Sequence, residues 1–468
     1  MQSSGIALAG GLVSQALKMA VLIYLARAYG ANAFGSFSFA YSVNAFLYVI
    51  GQFGLATYAA REVAQAGHLD PRLYRSVTII RLALAFSGAA VALAVLSVVP
   101  QVTREELWLV AGFGLTNVAL ACLSDWVFQG MGKLHGWAAL NITWQGTWLL
   151  VTVVAVRAQA PIRAASFAYA AGALAASLAG WIWWRRRLVE DGRSTDTRHS
   201  VRHVLRQGAH LGAGTMLQTF LVWIDIIIVR MLLGQHGAGL YAAGNRIALG
   251  LGMLAGFYMQ GAFPLLARAA LEDPLGYKRC FQQAYNNLSS IFVPGAVWGI
   301  FYAPEILDLL YKRPEYLASV PVFEVFQLVL ILTTFGVVLY GIGVLLAFRQ
   351  DRTYQQDFAA ASAVYLLACP LLTWRWGITG AAAAALLVLL ILFALFEIQV
   401  RRFVVPGHVE ALLQPCLLGL GAAVFAKLLS LSLFPALFLL AMAYGILAVR
   451  YLRVANLRPA TGYPPQVK

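Results

Sequence analysis

Six ionisable side chains lie inside apolar runs of this sequence: Lys18, Asp125, Asp225, Arg246, Glu324 and Lys427. A charge at the middle of a bilayer costs about 2.5–3.5 kcal/mol on insertion scales, so such residues pair, face water or handle charge. Buried cations suit the holding of an anion. A guanidinium bonds phosphate-type oxygens two at a time, and an ammonium acts as a point charge. A buried carboxylate either takes up H+ or Na+ or balances a neighbouring cation.

The stretch LVWIDIIIVRMLLG (Leu221–Gly234) carries Asp225 and Arg230 in one run. Residues five apart sit about 140° apart around a helix, so these two do not pair with each other. Asp225 shares a face with Gln218, seven residues earlier, which points the polar stripe inward. Two readings stay open. Asp225 is a site or gate for H+ or Na+ coupling, or it is permanently paired with a cation on a neighbouring helix. Asp125, in LSDWVFQG, is a second coupling candidate, with a local network to Gln129 near the cytoplasmic interface as the alternative. Further on, Tyr241 and Asn245 are four apart on one face, with Arg246 about 100° round from Asn245. Tyr241 also reads as an interfacial aromatic. Arg27 and Arg230 read as interface anchors, Lys427 as a snorkelling cation, and Glu324 as a favourable charge at a helix start.

The elements that must position these groups are membrane helices. The 468 residues are 61% hydrophobic and only 11% charged, against about 25% charged in soluble domains. Windows of about 20 apolar residues give fourteen spans, the first at 6–27 and the last at 434–451. Strand-type alternation is missing, so the fold class is an all-α polytopic membrane protein. The net charge of +15 is scattered between apolar runs rather than gathered on a domain, which excludes nucleic acid as a partner. Most arginines and lysines, Arg61, Arg72, Arg75, Arg81 and Arg185–Arg187 among them, fall in one set of loops. The positive-inside rule makes that set, and both termini, cytoplasmic.

Cys122, Cys280, Cys369 and Cys416 have no paired spacing and read as packing residues, with no disulfide and no metal site. The first apolar run has no basic region followed by a cleavage site and is expected to stay attached as a helix. Pro294, Pro370 and Pro415, with Gly5, Gly10 and Gly11, permit bending inside spans. The segment WRRRLVEDGRSTDTRHSVRHVLRQ (Trp184–Gln207) divides the first twelve spans into two sixes. The expected organisation is a six-helix bundle at 1–186, a basic cytoplasmic linker at 187–207, and a second bundle at 208–403. Two added helices at 404–453 and a tail at 454–468 complete it. The linker's arginines suit anionic membrane lipids.

The two halves repeat. YLARAYGANAFGSFSFA (Tyr24–Ala40) aligns with IVRMLLGQHGAGLYAAG (Ile228–Gly244) at an offset of 204, placing Gly30 on Gly234, Gly35 on Gly239 and Phe37 on Tyr241. These stretches, with GQFGLATYAAREVA (Gly51–Ala64) and FQGMGKLHGWAALN (Phe128–Asn141), resemble bacterial oligosaccharide flippases. Those are the Wzx-type polysaccharide transporters of the multidrug/oligosaccharidyl-lipid/polysaccharide (MOP) exporter superfamily. The resemblance implies two six-helix bundles related by pseudo-two-fold symmetry around a central cavity, alternating between inward-open and outward-open states. It implies a polyprenyl-diphosphate-linked oligosaccharide as cargo, carried on undecaprenyl in a bacterial inner membrane. Lys18 and Arg246 then hold the diphosphate, by analogy with lipid II flippases that carry basic residues on their first and eighth helices. Tyr241 and Asn245 would add hydroxyl and amide contacts for a sugar–phosphate. The added helices, with LFPALFLLAMAYGILA (Leu433–Ala448), would take the lipid tail.

Two other functions compete. A drug/cation antiporter of the same superfamily would prefer anionic groups where this chain has cations. A membrane enzyme of polysaccharide assembly would need catalytic groups, yet the longest outer loop, APEILDLLYKRPEYLASVP (Ala303–Pro321), has no histidine. HxxxxD, DxD and GxSxG are all absent from the sequence. The expectation is therefore no enzyme and no cofactor beyond H+ or Na+ coupling. Polysaccharide polymerase and assembly proteins are expected partners.

Overall fold

The structure is a computed structural model that describes residues 2–188, 201–404 and 409–429, with isolated positions 432, 433 and 435. Most of the expected linker, the fourteenth span and the tail lie outside the described residues. All regular structure among the described residues is helical. Seven helices are long and apolar enough to cross a membrane, and one further pair, bent by 83°, qualifies together. The protein is a multi-pass membrane protein.

Three of the long helices are each two helices joined at a glycine. α1 (Gln2–Gln52) turns at Gly30, α8 (Val201–Glu272) at Gly234, and α12 (Asp351–Val400) at Gly377. Gly30 has φ 77 and ψ 177, and Gly234 has φ 77 and ψ −172. Only glycine adopts such a backbone without strain. These are the paired glycines of the 204-residue repeat, and they have the same conformation.

Between them run α2 (Leu55–Ala66), α3 (Pro71–Ser97), α4 (Arg104–Ala121), the short α5 (Asp125–Gly130), α6 (Leu134–Arg157) and α7 (Ala164–Leu188). After α8 come α9 (Pro274–Phe301), α10 (Ala303–Tyr311), α11 (Val320–Leu332), α12 and α13 (Val409–Leu428). From Thr333 to Leu346 the chain continues α11 with wider π-helical turns. α1 packs on α3, α4 and α6 in the first half, and α8 on α11 and α12 in the second. The seam between halves is α1 against α8.

At one end of that seam, backbone meets backbone. A Cβ on Gly35 would collide with the carbonyl of Gln235, and a Cβ on Gly239 with the carbonyl of Ala31. Ala31 and Gln235 are again 204 apart, so the contact is reciprocal. The break at Gly30 also leaves carbonyls without helical acceptor duty, and the second half satisfies them. Arg313 Nε donates to Arg27 O at 2.6 Å and its Nη2 to Ala28 O at 3.0 Å, while the Tyr316 hydroxyl donates to Ala26 O at 3.2 Å. The freed Ala31 N–H donates to Glu315 Oε1 at 3.0 Å.

Several placements differ from the sequence expectation. Arg81, expected in a cytoplasmic loop, is 1% exposed within α3 and donates to the carbonyls of Leu120 and Leu123. The cause is the break after α4, which leaves those carbonyls in need of donors. Arg27, expected as an interface anchor, donates to the carbonyls of Leu309 and Leu310 at the end of α10. Lys427 pairs with Glu305 at 2.5 Å and lies over the Tyr302 ring.

Candidate functional site

Two adjacent cavities of about 380 and 270 Å³ lie in the seam, and both are walled by Gln15, Lys18, Tyr41 and Trp223. Lys18 comes from the first limb of α1 and Tyr41 from the second, folded back at Gly30. Trp223 and Arg246 come from the two limbs of α8, folded back at Gly234. The repeated glycine hairpins therefore carry both cations to one place.

Arg246 is 4% exposed, and its guanidinium carbon lies 4.4 Å from the Trp223 ring centroid and 5.3 Å from that of Tyr41. The Lys18 ammonium lies 5.5 Å from the same Tyr41 centroid. Aromatic faces stabilise both cations without neutralising them. Among the described residues Arg246 forms no ion pair, and its Nε and Nη2 have no hydrogen-bond partner. A buried guanidinium with unmet donors is costly unless an acceptor arrives. It belongs to the wall of the second cavity, as does Gln218. The charge and the empty donors fit an anion that binds between the halves.

Asp225 is elsewhere. At 3% exposure it lines neither cavity. Its carboxylate accepts from the Tyr241 hydroxyl at 2.6 Å, from the Ile226 N–H at 2.7 Å and from Asn245 Nδ2 at 3.5 Å. Tyr241 and Asn245 are both fully buried and also absent from the cavity walls. The sugar–phosphate surface expected from these two residues is thus not formed in this conformation. The hairpin at Gly234 places residue 225 opposite 241 and 245, so they face Asp225 inside the second half. Among the described residues Asp225 also has no ion pair, so the permanent pairing with an arginine or lysine is not found. Its hydrogen-bond partners are neutral donors, and the charge of Arg246 acts on it without a direct ion pair.

Asp125 differs as well. Gln129 is exposed, and the charge acting on Asp125 is that of Arg81. One Asp125 oxygen, Oδ1, is buried without a partner. Arg230, expected to snorkel, is 5% exposed and makes two bonds to Glu106, at 2.6 and 2.9 Å, plus one to Gln101 O at 2.8 Å. Glu106 is the third residue of a capping box whose N-cap is Thr103, and its Oε2 accepts from Thr103 N at 2.9 Å. The motif TREE was readable as a helix start; its distant partner was not.

Sequence reasoning missed Tyr41, Trp223 and a face of α6 carrying Trp137, Asn141, Trp144 and Gln145, all of which wall the larger cavity. The spacing of those four along α6 was the available signal.

A family model described as polysaccharide biosynthesis protein matches residues 1–270. A curated Escherichia coli (strain K12) protein, "Putative O-antigen transporter", is 22% identical over 396 residues, which span 81% of this chain and 91% of that protein. The structure resembles the lipid II flippase MurJ in an inward closed conformation, with a TM-score of 0.71 and 11% identity. That match covers 96% of this chain and 99% of that one. It also resembles an inward-facing multidrug resistance MATE family transporter of the MOP superfamily, with a TM-score of 0.64, 13% identity, and coverage of 83% and 95%. At such identities the structural likeness is one of fold.

Proposed function

Because the chain belongs to the polysaccharide biosynthesis protein family, we propose that it flips an undecaprenyl-diphosphate-linked oligosaccharide from the cytoplasmic to the outer leaflet of a bacterial inner membrane by alternating access. Both termini lie on the cytoplasmic side in this reading. The observation that carries it is Arg246: a buried guanidinium on the wall of a cavity between the halves, held by aromatic faces, with two donors unmet. Lys18 adds a second positive charge beside the same tyrosine. A diphosphate supplies the acceptors that this pair lacks. Among the described residues walling either cavity there is no aspartate or glutamate, which disfavours a cationic drug as cargo. Coupling to H+ or Na+ would act at Asp225, one layer behind Arg246.

The test is replacement of Arg246 by alanine and by lysine, with delivery of lipid-linked glycan measured in cells at matched protein levels. Alanine is expected to abolish delivery and trap precursor on the cytoplasmic side, and lysine to restore part of it. Normal delivery by both variants overturns the reading.

A further inference from the structure

The two cavities that meet at Lys18 have different walls. The second is faced mostly by apolar side chains, among them Met19, Leu22, Leu249, Met253, Phe326 and Val329, with Lys18 and Arg246 its only charges among the described residues. The larger one is lined by indoles, phenols and amides, and among its described residues Lys18 at the shared edge is the only charge. A diphosphate held at Lys18 and Arg246 therefore has an apolar space on one side and an uncharged, hydrogen-bonding space on the other.

The second space centres on one face of α6. Trp137, Asn141, Trp144 and Gln145 are spaced four, three and one apart, which keeps them on one side of a helix. Their side chains are held in place. Trp144 Nε1 donates to Tyr169 O at 3.3 Å, with the two rings 5.0 Å apart. Asn141 Nδ2 donates to Trp137 O at 2.9 Å. Gln145 is 7% exposed, belongs to the cavity wall, and has its Oε1 buried without a partner. Opposite, Asn44 is oriented by Asn117, whose Nδ2 donates to Asn44 Oδ1 at 2.8 Å.

An unmet amide oxygen beside fixed indoles asks for a ligand that donates hydrogen bonds and presents an apolar face. A pyranose does both: its hydroxyls donate, and its axial C–H groups lie against an aromatic ring. The volume, about 380 Å³, falls within the roughly 300–1,000 Å³ typical of small-molecule sites. Lys18 is the only cation among the described residues of this wall, and the diphosphate occupies it, so the wall suits an uncharged sugar rather than a uronic acid.

We propose that this face of α6 is the glycan subsite, binding the neutral sugar attached to the diphosphate, while the first apolar units of the lipid enter the α8–α11 side. The assignment rests on the lipid-linked oligosaccharide reading above and adds which sugar class is recognised and where. It makes Asn141 and Gln145 determinants of glycan recognition, separate from the diphosphate clamp.

The experiment compares two probes on the purified full chain in nanodiscs: citronellyl diphosphate, and the same lipid diphosphate carrying N-acetylglucosamine. Wild type is expected to bind the sugar-bearing probe more tightly. Loss of each amide hydrogen bond should reduce that advantage by about two- to tenfold. The double variant N141A/Q145A should lose most of the sugar advantage, keeping only the part that stacking on Trp137 supplies, with its affinity for citronellyl diphosphate close to wild type, which also certifies its fold. Trp137→Phe should keep much of the advantage and Trp137→Ala should lose it. Equal binding of the two probes by wild type, or an undiminished sugar advantage in N141A/Q145A, overturns the glycan subsite and leaves the diphosphate clamp standing. Failure of wild type to bind either probe overturns the cargo reading itself, and this assignment with it.

Discussion

Arg230 of the second half clasps Glu106 of the first through two hydrogen bonds, Nε to Oε1 at 2.6 Å and Nη2 to Oε2 at 2.9 Å, with the two side chains 6% and 0% exposed. The pair sits at the end of the seam where Gly35 and Gly239 interlock with the opposite backbones. Buried ion pairs contribute little net stability but are hard to leave half-made. The pair ties the two halves together at that end, and removing either partner leaves the other charge buried and unpaired.

Glu106→Gln and Arg230→Met are each expected to loosen that end, at a cost of about 3–5 kcal/mol for an uncompensated buried charge. Spin labels at the exposed positions Asn32 and His236 report it. Their distance distribution should gain a longer component in both variants. Unchanged distributions would mean that the pair is not a latch.

The glycine contact predicts the same shift by a different route. Gly35→Ala and Gly239→Ala each push a methyl group into a backbone carbonyl that has no freedom to turn aside. Both should lengthen the Asn32–His236 distance. Gly146→Ala, on α6 with open space around it, should leave the distance unchanged and is the control.

These features were unequally legible in the sequence. The repeat could be read because glycine is required at Gly30 and Gly234 by backbone conformation, which leaves a mark at fixed spacing. The sides that helices present could not. In a membrane both lipid and core are apolar, so polarity does not say which face of a helix is inside. The sequence puts Tyr241 and Asn245 with Arg246 and puts Asp225 with Gln218; only the fold-back at Gly234 shows that Tyr241 and Asn245 bond Asp225. Arg230 was misplaced because its partner is 124 residues distant. Lys18 and Arg246 were brought together by family resemblance rather than by any local pattern. The α6 face escaped notice because tryptophan and asparagine in a membrane helix look like ordinary interface residues.

Asp225→Asn and Tyr241→Phe should separate the role of the carboxylate from that of its holder. Asparagine keeps the shape and removes the charge, so citronellyl diphosphate binding should persist while glycan delivery falls by more than tenfold. Phenylalanine removes the 2.6 Å bond, a hydrogen bond to a charged group worth about 1.5–3 kcal/mol, and should lower the melting temperature. Normal delivery by Asp225→Asn at matched levels would assign Asp225 to structure alone and end its candidacy for coupling.

Trp223 is the remaining support of the clamp, because its ring is the nearer of the two that flank the Arg246 guanidinium. Cation–π contacts contribute about 0.5–1 kcal/mol where exposed and about 2 where desolvated. Arg246 is buried, so the larger figure applies, equivalent to about thirtyfold in affinity. Trp223→Leu keeps an apolar wall but removes the π face, freeing the guanidinium to swing from its place between the halves. Citronellyl diphosphate should then bind up to about thirtyfold more weakly, and Trp223→Phe should recover part of the loss. Both effects should vanish in an Arg246→Ala background, where there is no cation to hold. A Trp223→Leu effect that survives in that background would show that the indole contacts the cargo directly rather than through Arg246.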